Sequence, residues 1–300
     1  MISIETLIKE DSSKLLEYTP VPLNDKEKYY IRIPSSVILD TDLNTKRISV
    51  FSFLLFRKGY DDIVTLSLNS LIRECGYTPR KGLSEINKQF KDLITMFAIE
   101  DENRLTGGYL TLSDEITNTT YVNLTFNSDK LKHQCDKEEH YAVIYLDEYQ
   151  KILSYKFNNK KDTSINVSVL LLVFAYLRLK IICRTNVFRY QDRFESIQEK
   201  KEKYPDAFNC KYKEIAEHIG ITPRSLSKAV NILNELGLIY KEPVERMQLD
   251  DGSWVTNDTI FVNMYKREFN NLLAYGEEYY LTEVKNKRNL IPMNYGCKRK

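Results

Sequence analysis

Arg224, Ser225, Ser227, Lys228 and Asn231 bring a guanidinium, two hydroxyls, an ammonium and an amide into one short stretch. These are the groups that bond phosphate oxygens and the edges of bases. Helical spacing puts them on the exposed side of one helix, while Leu226, Ala229, Val230, Leu233 and Leu236 form an apolar stripe on the other. Such a side chain set needs a rigid support, so the elements around it decide whether it can act.

The support is legible from Lys211 to Tyr240. Ile215, Ala216 and Ile219 give a first helix its apolar face, and small Ala216 lets a second helix cross it closely. Gly220 can take the left-handed conformation that ends the first helix. Thr222 can cap the second, with Pro223 at its first position, where a missing N–H costs nothing. Gly237 stops the second helix and Leu238-Ile239-Tyr240 begins a strand. An ordinary helical hairpin in a core shares the apolar spacing. The turn, the small residue, the polar face and the following strand together resemble the helix-turn-helix of winged-helix DNA-binding proteins.

The turn occurs twice. Gly76-Tyr-Thr-Pro-Arg80 returns as Gly220-Ile-Thr-Pro-Arg224, 144 residues later. With one extra residue in the first copy, Leu83-Ser84 matches Leu226-Ser227, and Ile86, Phe90 and Leu93 match Ala229, Leu233 and Leu236. Ser67 caps a helix over Leu68 to Cys75, and the helix after the turn places Lys81, Ser84, Asn87, Lys88 and Lys91 largely opposite its apolar face. Each copy follows a Tyr-rich strand (Tyr29 to Ile33; Tyr141 to Tyr145) and a long apolar helix (Lys46 to Lys58; Val167 to Lys180), and each precedes a hairpin. Strands are expected at Ile63 to Leu66, Phe97 to Ile99, Tyr109 to Leu112 and Tyr121 to Phe126, with Gly107-Gly108 as a turn between strands. In the second copy Ile239 to Met247 and Thr259 to Met264 alternate around Asp250-Asp251-Gly252.

The expected class is α+β, mainly helical, with two winged helix-turn-helix domains related by duplication. The first domain spans 29–127 and the second 140–266. Residues 1–28 form an N-terminal arm, 128–139 an exposed linker, and 267–300 a C-terminal helix and basic tail. The second domain carries a basic insertion at 184–208, where Arg193 to Lys203 reads as a helix that either follows a phosphate backbone or packs on its own domain. Arg246 on the wing can reach a minor groove. Trp254 near the wing tip can do the same or pack on its own domain.

Net charge is +2, so a nucleic-acid footprint must be local. Residues 101–150 carry ten Asp/Glu against four Lys/Arg, whereas residues 178–213, leading into the second turn, carry ten Lys/Arg against five Asp/Glu. The five cysteines are scattered without CxxC spacing, so neither a disulfide framework nor a zinc site is indicated. His133, Cys135 and His140 fall within residues 127–140 without the rest of a ligand set. Phosphate loops, dinucleotide fingerprints and nucleophile elbows are missing, and three His form no His-x-His pair. No enzyme, cofactor or metal is therefore expected, and a cytoplasmic protein with no membrane partner is.

Two DNA-reading units in one chain can occupy successive major-groove faces without dimerising. This layout resembles plasmid and phage replication initiators across about 29–266. The resemblance implies origin binding to repeated sites on double-stranded DNA and contact with host replication proteins, as monomer or homodimer. The DNA-contact set is Thr222, Arg224, Ser225, Ser227, Lys228, Asn231 and Arg246, with Thr78, Arg80, Lys81, Ser84 and Lys88 in the first unit. A transcriptional regulator, or a winged-helix module that binds protein, would share these units. The acidic first wing, with Arg104 among Asp101, Glu102, Asp114 and Glu115, suits protein binding.

Overall fold

The computed structural model describes residues 29–58, 61–80, 84–100, 105–138, 141–158, 165–181, 207–243 and 259–263. The arm at 1–28, most of the insertion with its expected helix, the wing tip with Arg246 and Trp254, Lys81, and the segment 264–300 lie outside the described residues. Within them the protein is α+β, with helices set around small antiparallel sheets.

The element order β-α-α-β-α-α-β-β occurs twice among the described residues. It runs first as β1 (Tyr30–Pro34), α1 (Ser35–Leu39), α2 (Lys46–Arg57), β2 (Ile63–Leu66), α3 (Leu68–Glu74), α4 (Glu85–Ala98), β3 (Leu110–Leu112) and β4 (Val122–Phe126). After α5 (Ser128–Glu138) it returns as β5 (Tyr141–Tyr145), α6 (Leu146–Asn158), α7 (Val167–Ile181), β6 (Ala207–Cys210), α8 (Tyr212–Ile219), α9 (Pro223–Glu235), β7 (Ile239–Pro243) and β8 (Thr259–Asn263). The three-stranded sheets also match, with orders β2-β4-β3 and β6-β8-β7. β1 and β5 pair antiparallel, Tyr30 opposite Tyr145 and Pro34 opposite Tyr141.

By compactness the described residues fall into two units. One comprises those within Asp25–Leu179 and Ile215–Leu236. Its core holds an aromatic cluster in which the Phe51 ring lies 5.3 Å from Phe97, 5.1 Å from Tyr109 and 5.8 Å from Phe126. α7 is buried nearly all round, as a helix apolar on every side must be. Arg178 on this helix is buried against Glu148, whose carboxylate also accepts the Tyr145 N–H at 2.9 Å at the start of α6. The other unit comprises the described residues within Lys180–Glu214 and Gly237–Lys300. There Phe261 stacks on Phe208 and Tyr212, with ring centres 6.2 and 6.1 Å away.

Arg47 is 1 % exposed and ties α1 to α2. Its guanidinium donates to the carbonyls of Ile38 (2.6 Å), Val37 and Leu43 (both 2.9 Å), so beside the Asp40 N–H that returns to Ser36 C=O it closes the C-terminal end of a short helix. Burial pulls its pKa down to about 10.

Three expectations change. Phe97 to Ile99 does not form a strand: Phe97 continues the Phe90, Leu93, Ile94 spacing and is buried on α4, which runs to Ala98. The exposed linker at 128–139 is helical over Ser128–Glu138, with Gln134 and Cys135 buried. Glu138 holds it against the start of α1, accepting from Ser35 Oγ at 2.7 Å and the Ser36 N–H at 3.1 Å. Asn87 is not on the outer face of α4 but buried. Among the described residues no helix is long and apolar enough to cross a membrane.

Candidate nucleic-acid interface

The two glycine turns are built alike, bond for bond. Tyr77 N–H donates to Ile72 C=O at 3.0 Å, and Ile221 N–H to Ala216 C=O at 3.0 Å. Gly76 N–H reaches Arg73 C=O at 2.9 Å, and Gly220 N–H reaches Glu217 C=O at 3.4 Å. Both glycines have positive φ, 79° and 70°. This is the helix-ending arrangement in which a left-handed residue returns two N–H groups to the last turn. The sequence repeat is thus a repeat of backbone geometry.

After the turn the copies diverge. Thr222 caps α9, accepting the Ser225 N–H at 3.1 Å and donating to Ser225 Oγ at 2.9 Å, and Pro223 opens the helix. The Thr222 and Ser225 hydroxyls are therefore engaged with each other, and their first task is to fix the start of α9. Arg224 and Asn231 are exposed, and Ser227 and Lys228 half-exposed, along one side of the helix. The opposite side buries Leu226, Ala229, Val230, Ile232 and Leu233. From Pro223 to Asn234 this helix has no acidic residue, and the positive end of its dipole lies where Arg224 stands.

In the first copy the second helix starts later. Ser84, not Thr78, is the cap, accepting the Asn87 N–H at 3.4 Å, and α4 begins at Glu85. Thr78 and Arg80 are exposed but lie ahead of the helix in non-helical chain. Gly82 disfavours extending the helix back to the turn. Asn87 instead holds the loop, donating from Nδ2 to Arg80 C=O at 2.8 Å and accepting the Arg80 N–H at 3.4 Å. Lys88 is exposed on α4 among Glu85 and Asp92, and Lys91 is paired with Glu115 at 2.6 Å. The outer face of α4 is therefore of mixed charge, where that of α9 is cationic up to Glu235 at its C-terminal end.

Sequence reasoning missed the contact that seats the first turn. Tyr77 donates to Ser168 Oγ at 2.7 Å, and Ser168 and Ser49 share a hydrogen bond of 2.8 Å. Lys46 stands 5.6 Å over the Tyr77 ring. The one signal was a serine near the start of a mainly apolar helix. At the second turn His218 Nδ1 meets Tyr176 Oη at 2.8 Å, so this histidine joins α8 to the buried helix α7. Burial pushes the Tyr77 phenol up to about 12 and the Cys135 thiol up to about 11. Among the described residues no group of His, Cys, Asp and Glu is arranged to hold a metal; Cys135 is buried and His133 exposed.

Compared with known proteins, the chain matches no protein-family model and no curated protein sequence.

Proposed function

We propose that the chain is a sequence-specific double-stranded DNA-binding protein built from two duplicated winged-helix units, with α9 as its main reading helix. The observation that carries this is the outer face of α9: Arg224, Ser227, Lys228 and Asn231 in one line, with no acid before Glu235 at the end of the helix, on a capped helix seated on a fully apolar inner face. Arg and Asn are the side chains that read guanine and adenine with paired hydrogen bonds, and Ser and Lys hold phosphates. Two such units in one chain suit repeated sites, and with them the work of a replication initiator that recruits host replication proteins. A transcriptional regulator uses the same contacts at an operator.

The test is selection of random duplex DNA by the full chain, followed by footprinting on the DNA that flanks its gene. Protected, iterated copies of the selected sequence support an initiator, and a single protected operator at a promoter supports a regulator. Failure to select any sequence overturns both.

A protein-binding role for the first unit has its own support. Thr78 and Arg80 stand off the helix, and the α4 face mixes acids with Lys88. Arg80→Ala with Lys88→Ala distinguishes the two: unchanged DNA affinity with lost function assigns protein contacts to this unit.

A further inference from the structure

β1 has a second edge. Leu146 N–H donates to Tyr29 C=O at 2.9 Å, in the register that continues through Ile31 opposite Ile144 and Ile33 opposite Ala142. In an antiparallel pair the bonded positions alternate, so residues 29, 31 and 33 turn their amide groups toward β5. Tyr30 and Arg32 turn theirs the other way, where no strand pairs among the described residues.

A groove of about 700 Å³ opens on that side. One wall is four consecutive residues, Tyr29 to Arg32, and the other is the face of α5 that carries Leu131, Lys132 and Cys135. A ligand lying on the face of a strand meets alternate residues, whereas one lying along its edge meets consecutive ones. The lining therefore marks an edge groove. Its charge is lopsided: Lys58 offsets Asp62 at 2.6 Å, and Arg32 and Lys132 remain as net positive charge. Arg32 is held in place between aromatic rings, 5.9 Å from Tyr30 and 5.0 Å from Tyr141. Tyr30 is 41 % exposed beside it.

We infer that this edge receives an extended acidic peptide segment of a protein partner, which adds a third strand beside β1. Its backbone pairs with the outward amides of Tyr30 and Arg32, and its carboxylates meet Arg32 and Lys132. A two-stranded ribbon with an edge that no described strand covers is a template for such addition, and pairing supplies affinity while charge supplies choice. Pro34, which has no N–H, ends the donor row, so the paired stretch is short. The inference makes no use of α9 and stands apart from the DNA reading.

The experiment selects phage-displayed random dodecapeptides on the full chain, with Arg32→Glu/Lys132→Glu as counter-target after circular dichroism shows it folded. The expected winners alternate Asp or Glu with β-branched residues, and a synthetic winner binds the double variant at least ~10-fold more weakly. Hydrogen exchange at the Tyr30 and Arg32 amides slows on its addition, while DNA binding is unchanged. Three results overturn the inference: winners without acidic bias or none at all, affinity indifferent to the charge reversal, or protection of the same amides by inorganic triphosphate or by self-association of the chain.

Discussion

Arg47 shows how much one side chain can hold. Its guanidinium bonds the carbonyls of Val37 and Ile38 in α1 and of Leu43 beyond it in a fully buried setting. Arg47→Ala leaves those carbonyls without partners at about 1–3 kcal/mol each, so a loss of at least ~3 kcal/mol is expected in urea unfolding. Buried acids set the alkaline limit. The Tyr77 phenol titrates at about 12 in the folded chain against 10.0 in a free one, and the Cys135 thiol at about 11 against 9.0. Groups whose folded values are raised keep their protons longer when folded. Their contribution is complete below the unfolded values and is lost as pH rises through the folded ones. The melting temperature should therefore fall steadily between pH 9 and 12, with less loss for Tyr77→Phe; a flat profile contradicts the buried placement. Arg47 was not legible in the sequence, because an arginine early in an apolar helix carries no sign of which carbonyls it will meet. Thr222 and Pro223 were legible, because their capping partners lie within three residues.

At the level of elements, local rules decided what could be read. The two glycine turns have positive φ because the chain reverses there, and the sequence marks both. Their surroundings differ. A Cβ at Gly76 would stand 2.9 Å from Val167 Cγ2, but one at Gly220 meets nothing nearer than Thr41 Cγ2 at 3.4 Å. Gly220→Ala should cost about 1–2 kcal/mol from the left-handed backbone alone, and Gly76→Ala more; equal thermal shifts would contradict the packing of this turn. The expected strand at Phe97 failed because Phe-Ala-Ile suits either period, and burial against Phe51 extended α4 instead. The helix at Ser128–Glu138 was hidden by its charge, since only Gln134 and Cys135 face inward. The short strand β6 was hidden because its partner β8 lies far along the chain.

For the whole molecule, the same order of elements and the same sheet order occur twice among the described residues, and β1 with β5 joins the two runs. The outer faces of α4 and α9 differ in charge, so the two helices are expected to do different work. The direct measurement is a gel-shift titration of the wild-type chain and Arg224→Ala/Lys228→Ala against the selected duplex, with circular dichroism on both. The DNA reading predicts an unchanged fold and binding weaker by about 1–3 kcal/mol for the double variant. Equal affinity in a folded variant would contradict α9 as the reading helix.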